Sequence, residues 1–247
     1  MEQFFGILLA AIFGAIFGSY STLFAYRLPL GESCFGRYFG PKSRCPSCGY
    51  TIRTRELIPL LNWLFTFGKC AKCSTKIPRS HLFLELSCTI LFVLCYLKFS
   101  FSELFIIYAL VSCACVILIV TDFKHNAFPY QLLILLLILA VASRVLADQN
   151  IIDMIFSVLY GVLASAAFYQ IFYKKASGLF ATQNHFFDYV KFILIASVFL
   201  QNVDFVLYFL VVMIIFSSII LFNAISKKKR FGYGFCLVIP FLWLVLI

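Results

Sequence analysis

Two pairs of cysteines have the residue type and spacing of metal ligands. Cys45-Pro-Ser-Cys48 and Cys70-Ala-Lys-Cys73 form two CxxC turns, with 21 residues between them. Two turns that each present two sulfurs can close a tetrahedron around one Zn²⁺, and four thiolates leave no open position for water or substrate. The spacing therefore predicts a structural zinc site. Redox chemistry and two structural disulfides are the alternatives, although no thioredoxin-like strand and helix pattern surrounds either pair.

Two carboxylates, Asp122 and Asp188, could carry acid–base chemistry. Asp122 follows the apolar run that ends at Thr121, and Asp188 precedes another apolar run. Two carboxyl groups that share a site cannot both ionise cheaply, so one keeps its proton and the pair can activate water for hydrolysis. Each residue also has a structural interpretation, since Asp188 could be a helix N-cap and Asp122 an interfacial charge beside Lys124. The sequence contains no HExxH motif, which argues against zinc-protease chemistry.

The elements that must position these residues are transmembrane helices. With 63% hydrophobic and 12% charged residues, the 247-residue chain is too apolar for a soluble protein, since globular domains carry about 25% charge. Spanning a bilayer takes about 20 apolar residues. The sequence therefore predicts an all-α polytopic membrane protein with about eight transmembrane helices. They are expected at residues 4–26, 82–97, 104–121, 128–146, 151–173, 188–200, 205–225 and 235–247. The first is expected to be retained, because a signal peptide would begin with basic residues.

The charges divide the loops between the two sides of the membrane. With alternating spans, four loops share one side: residues 27–81, 122–127, 174–191 and 226–234. That side holds all of the 20 Lys and Arg except Lys98 and Arg144, so the positive-inside rule assigns it to the cytoplasm. The net charge of +10 thus follows from topology, which argues against nucleic-acid binding. Asp122 and Asp188 share the cytoplasmic side, about 30 Å from the acids on the other side.

The loop between the first two helices is long enough to form a domain. It has about 55 residues, whereas helix connections usually have 2–8, and it contains both cysteine pairs. The chain is therefore divided into a transmembrane helix at 1–26, a small zinc-binding cytoplasmic domain at 27–81 and a membrane-embedded domain of about seven helices at 82–247. The two aspartates belong to the last of these.

Short motifs beside these sites resemble those of one known family. They are Gly18-Ser19-Tyr20, Arg27-Leu28-Pro29, residues 43–50 and 57–64, and Glu85. In addition, Asp122-Phe123 is followed by Pro129, seven residues after the aspartate. Together these motifs resemble bacterial type IV prepilin peptidases over nearly the full chain.

That resemblance implies a GxGD-type intramembrane aspartic endopeptidase. It would cleave the basic leader peptide from prepilins or pseudopilins at the cytoplasmic face of the bacterial inner membrane, for a type IV pilus or type II secretion system. Asp122 and Asp188 would be its catalytic residues, and Glu85 and Lys191 would bind the substrate. Many members also methylate the new N-terminus, which would require S-adenosylmethionine as cofactor.

The sequence around Asp188 departs from the pattern of that family. The family has a GxGD motif with Lys two residues after the aspartate, whereas here Phe186 and Phe187 precede Asp188 and Lys191 comes three residues after it. Glycines there would let the backbone bend and approach the substrate. The alternative function is therefore a catalytically degenerate member that acts as a membrane scaffold for pilus or secretion-system assembly. A transporter is a further alternative, although the helices offer almost no polar residues at mid-membrane depth.

Overall fold

In the residues that it describes, the computed structural model of the chain contains helices and two isolated β-bridges. It describes residues 1–34, 44–45, 47–53, 58–59, 61–126, 128–176, 183–200, 202–226 and 233–246. Those residues form a short 3₁₀ helix at Leu28–Leu30 and nine α-helices. The α-helices are α1 (Glu2–Arg27), α2 (Leu61–Thr66), α3 (Arg79–Phe99), α4 (Glu103–His125), α5 (Tyr130–Leu146), α6 (Ile151–Ala176), α7 (Gln183–Phe199), α8 (Asn202–Ser226) and α9 (Phe235–Leu246).

The eight helices other than α2 correspond to the eight predicted spans, so the all-α fold is confirmed. Four stretches are long and apolar enough to cross a membrane: Glu2–Leu30, Arg79–Phe99, Glu103–His125 and Ile151–Tyr173. The apolar helices Tyr130–Leu146, Val203–Ile219 and Phe235–Leu246 are shorter. With 12 residues, α9 is about 18 Å long, which is less than the thickness of the hydrocarbon core.

The surfaces of the long helices are apolar. Phe4 on α1 is 74% exposed, Ile152 on α6 66% and Ile214 on α8 66%. Apolar patches of this kind are not stable in water, whereas lipid tails solvate them. The exposed side chains and the helix lengths together make the chain a membrane protein.

The chain divides into two compact units, Met1–Phe105 and Ile106–Ile247. In the first unit, α1 packs along α3 through small residues that recur every four positions, among them Ala10, Gly14 and Gly18. A Cβ atom on Gly14 would lie 2.7 Å from the Cα of Thr89, and one on Gly18 would lie 2.7 Å from the Cα of Glu85. Only residues without a side chain permit backbones to come so close, and this is how membrane helices without a hydrophobic driving force associate.

In the second unit, α7 is the central helix, because it packs against α5, α6, α8 and α9. Its inner face consists of large apolar side chains such as Phe192 and Ile193, which are 1% and 0% exposed. Helix α4 is also buried over most of its length and ends with Asp122 in its last turn. The fold therefore brings the end of α4 and the first half of α7 into one interior.

Candidate functional site

The two cysteine pairs fold into two turns with the same backbone pattern. In the first, the N–H of Gly49 donates to the carbonyl of Cys45 at 2.9 Å. In the second, the N–H of Ser74 donates to the carbonyl of Cys70 at 3.0 Å. Gly49 and Ser74 have φ values of 66° and 58°, in the left-handed region that closes a tight turn. Each turn thus presents its two thiols toward one point.

The four thiols of Cys45, Cys48, Cys70 and Cys73 form one cluster. All four sulfurs lie within 4.8 Å of one another, and the sulfurs of Cys45 and Cys73 are 3.7 Å apart. A tetrahedron with Zn–S bonds of about 2.3 Å has edges of about 3.8 Å. The cluster is therefore compatible with a four-thiolate zinc site, as the sequence predicted.

Hydrogen bonds in the turns favour the thiolate form at Cys45 and Cys73, whereas at Cys48 the backbone hydrogen bond of Tyr50 is outweighed by burial and the neighbouring thiols, which raise the pKa to about 11. The backbone N–H groups of Cys48 and Ser47 lower the pKa of Cys45. The hydroxyl and then the backbone N–H of Thr75 lower the pKa of Cys73 to about 6, and the Cys73 sulfur and the Thr75 hydroxyl are 3.2 Å apart. Because a metal binds thiolate and not thiol, these bonds reduce the proton competition at two of the four ligands.

Asp122 is a buried carboxylate whose two oxygens are both hydrogen-bonded. Its side chain lies in the interior of the second unit, since the residue is 1% exposed. The hydroxyl of Tyr189 donates to Oδ1 at 2.8 Å, and the backbone N–H of Gly234 donates to Oδ2 at 2.7 Å. These bonds satisfy a polar group that would otherwise be costly to bury, since a carboxylate oxygen accepts hydrogen bonds.

Tyr189 connects α7 to the segment before α9. The N–H of Tyr233 donates to the hydroxyl oxygen of Tyr189 at 3.1 Å. An N–H group can only donate, so the tyrosine hydroxyl accepts this bond and directs its own proton to Asp122. The Phe128 ring packs edge-on against the Tyr189 ring, with centroids 5.3 Å apart. Tyr189 is therefore held in one orientation by contacts from three sides.

Asp188 lies on the same helix but has a different environment. Its side chain is 20% exposed and forms an ion pair with Lys191, one turn further along α7, at 2.8 Å. Asp188 directly precedes Tyr189, whose hydroxyl contacts Asp122. Within the described part of the chain, however, no hydrogen bond joins the two carboxyl groups. Because α7 begins at Gln183, Asp188 is not its N-cap, and that alternative is wrong.

The two predicted substrate-binding residues occupy different places. Glu85 is half-buried on α3 in the first unit, where its backbone faces Gly18. Lys191 is exposed on α7 in the second unit and is paired with Asp188. Their contact with a substrate stays a prediction.

Two residues that hold Asp122, Tyr189 and Gly234, were not predicted from the sequence. The distance in sequence between Tyr189 and Lys191 could have indicated that Tyr189 belongs to the site. Counting back two residues from Lys191, which is the usual distance in the family that the sequence resembles, leads to Tyr189 and not to Asp188. No sequence pattern indicated Gly234, because it contributes only a backbone N–H and lies 112 positions after Asp122 in the chain.

Comparison with known proteins identifies relatives of the chain. Residues 12–99 match the family described as the bacterial peptidase A24 N-terminal domain. The chain is 34% identical over 140 residues to a prepilin leader peptidase/N-methyltransferase of Bacillus subtilis, covering 56% of this chain and 54% of the relative. It is 30% identical over 135 residues to the type 4 prepilin-like proteins leader peptide-processing enzyme of Escherichia coli, covering 49% and 50%.

A third relative covers more of the chain. The similarity to a prepilin leader peptidase/N-methyltransferase of Stutzerimonas stutzeri is 27% identity over 186 residues, 67% of this chain and 64% of the relative. The chain nevertheless spans about half the length of the Bacillus and Escherichia relatives that it matches. No solved structure gives a significant match. The matched N-terminal domain contains the four clustered cysteines and Glu85, whereas both aspartates lie beyond its last residue.

Proposed function

Because this chain belongs to the type IV prepilin peptidase family, we propose that it is an aspartic endopeptidase that removes the basic leader peptide from prepilins or pseudopilins. The reaction takes place at the cytoplasmic face of the inner membrane. The observation that supports it is the buried carboxylate of Asp122, held by two hydrogen bonds at the end of an apolar helix. Ionisable groups are costly at such a place, and a fold retains them for function.

The proposed chemistry is hydrolysis of a peptide bond by two carboxyl groups. Asp122 takes a proton from a water molecule, whose oxygen bonds to the scissile carbonyl carbon. Asp188 donates a proton to the carbonyl oxygen, and the C–N bond then breaks as the leaving amine takes up a proton. The two hydrogen bonds that Asp122 accepts suit the base in this scheme. The ion pair of Asp188 with Lys191 opposes its role as acid, so Lys191 must release Asp188 when the leader binds.

The cysteine cluster has a structural role in this proposal. Zinc bound to Cys45, Cys48, Cys70 and Cys73 would have no free coordination position, so the metal would fix the two turns without entering the reaction. We place this domain on the cytoplasmic side of the membrane, where cysteine thiols stay reduced.

The test is cleavage of a prepilin in co-expressing cells, measured as a gel shift. Wild type is expected to remove the leader, and Asp122→Asn and Asp188→Asn are each expected to slow cleavage by about 10²-fold or more. Asp148→Asn is the control, because Asp148 is exposed and lies outside the proposed site. Cleavage by Asp188→Asn at the wild-type rate would remove Asp188 from the mechanism.

N-methylation of the product is a finer part of the proposal, motivated by the names of the relatives. It would require S-adenosylmethionine, for which the sequence has no glycine-rich nucleotide loop that identifies a site. Mass spectrometry of the processed N-terminus decides it, since a methyl group adds about 14 Da to the peptide mass and an unmodified mass excludes the transfer.

One observation favours the second candidate function, a degenerate family member that binds pilus or secretion-system components as a scaffold. The group in hydrogen-bond contact with Asp122 is the hydroxyl of Tyr189, whereas the carboxyl of Asp188 is paired with Lys191. A scaffold would be expected to retain the prepilin without shortening it. Co-purification of the uncut precursor with wild type, at the level seen with Asp122→Asn, is the result that distinguishes it from the peptidase.

A further inference from the structure

The hydroxyl of Tyr189 lies where a reacting water would have to lie. A carboxylate that acts as a base must hold its water at hydrogen-bond distance, which is about 2.6–3.2 Å. The Tyr189 oxygen is 2.8 Å from Oδ1 of Asp122. Its proton points at the carboxylate, because the N–H of Tyr233 already donates to the same oxygen. In position and in hydrogen bonding, the phenol hydroxyl therefore imitates the water.

The described residues enclose the carboxyl group of Asp122. The carboxylate is 1% exposed, and Tyr189 is 2% exposed. The other oxygen, Oδ2, is covered by Gly234, and the Phe128 ring closes the space beside both residues. Among the described residues, water reaches Asp122 only if one of these groups moves or is replaced, and Tyr189 is the side chain in hydrogen-bond contact with Oδ1.

We propose that Tyr189 occupies the place beside Asp122 that a hydrolytic water needs, and that it thereby limits hydrolysis at this site. The inference rests on the proposed leader cleavage and names the residue that controls it. An Asp at position 189 would be about 3 Å shorter than tyrosine, which is about the diameter of one water molecule. It would also place a second carboxylate opposite Asp122, with the water between the two.

The first experiment compares leader cleavage by the purified full chain in detergent, using wild type, Tyr189→Asp and Tyr189→Asn. Both substitutions open the same space, and only the first adds a carboxylate. Tyr189→Asp is expected to cleave at least about tenfold faster than wild type. A gain by Tyr189→Asn as well supports the loss of the obstructing ring as the cause. If wild type cleaves and neither variant is faster, although both are folded and monodisperse, the proposal is overturned.

This comparison separates the inference from the proposed function. If wild type is inactive and Tyr189→Asp cleaves, the wild-type peptidase activity is excluded and the role of Tyr189 is supported. If wild type cleaves and Tyr189→Asp is no faster, the inference fails while the proposed function stands. Asp122→Asn in each background confirms that the measured cleavage uses this site.

A second measurement decides the matter if Tyr189→Asp does not fold or if no variant cleaves. Tyr189→Leu removes the ring and its hydroxyl but stays apolar, and an apolar carbodiimide then labels Asp122, as followed by peptide mass spectrometry. We expect labelling of Asp122 to rise at least threefold over wild type. Tyr208→Leu is the matched control, because Tyr208 is fully buried and its hydroxyl has no hydrogen-bond partner among the described residues. Equal labelling in wild type and Tyr189→Leu overturns the proposal.

Discussion

Gly234 offers a quantitative test of the geometry around Asp122, because its backbone both donates to the carboxylate and touches an aromatic ring. A Cβ atom at this position would lie 2.5 and 2.6 Å from two carbons of the Phe128 ring and 3.0 Å from Oδ2 of Asp122. Carbon atoms normally pack at about 3.5–4.0 Å. The substitution Gly234→Ala therefore requires the ring or the backbone to move by about 1 Å.

The surroundings of Phe128 determine the cost of that movement. The residue is 5% exposed, and its ring packs against those of Tyr189 and Phe192, with centroid distances of 5.3 and 6.1 Å. Overpacking of a buried site costs about 1–3 kcal/mol. If the backbone moves instead, the N–H bond to Asp122 weakens, and a hydrogen bond to a charged group contributes about 1.5–3 kcal/mol. We expect Gly234→Ala to reduce stability by about 3 kcal/mol.

The assay is thermal unfolding in detergent, where this loss corresponds to a fall in Tm of about 6–12 °C for a chain of this size. Phe128→Leu supplies the control, since leucine lacks the two ring carbons that meet the new methyl group. In the Phe128→Leu background, Gly234→Ala is expected to cost at least about 1 kcal/mol less than in wild type. An unchanged Tm for Gly234→Ala, or an equal cost in both backgrounds, would refute the close contact between Gly234 and Phe128.

Two further predictions concern the cysteine cluster and a buried arginine. Cys45→Ser is expected to reduce bound zinc from about one equivalent to well under half, as measured by elemental analysis, whereas Cys34→Ser, outside the cluster, retains it. Arg144→Met removes the guanidinium that donates to the carbonyls of Val198 and Leu200 at 2.5 and 2.6 Å, so a stability loss of at least about 2 kcal/mol is expected from thermal unfolding. A Tm of Arg144→Met equal to that of wild type would contradict the prediction for the buried arginine.

The helices could be predicted from the sequence because the bilayer imposes their length and composition. The predicted and observed bounds of the first span, 4–26 and Glu2–Arg27, differ by only a few residues. The largest disagreement is α7, expected from residue 188 but beginning at Gln183. Hydropathy marks the part of a helix that lies in lipid and not where the helix begins, so the polar turn before Asp188 was missed.

The two candidate sites differed in how much of them the sequence could predict. The cysteine cluster depends on two local turns, and local spacing determines its geometry. Asp122 was identified because charges at the membrane face are few. Its partners come from 67 and 112 positions away, and they are a phenol and a backbone N–H, which composition does not distinguish from core residues. The expected contact between Asp122 and Asp188 follows from charge and topology, which do not determine which side of α7 faces Asp122, and it stays a prediction.

Helix geometry determines which residue of α7 lies beside Asp122. Successive residues on an α-helix point about 100° apart, so Asp188 cannot take the place of Tyr189 unless α7 turns by about that angle. Such a turn would break the bonds from Tyr189 to Asp122 and Tyr233, near one end of the helix. At the other end, Arg144 holds the carbonyls of Val198 and Leu200 and resists the same rotation. In the proposed leader cleavage, the side chain at position 189 therefore controls the access of water to Asp122, while Asp188 offers its carboxyl group from the neighbouring position on α7.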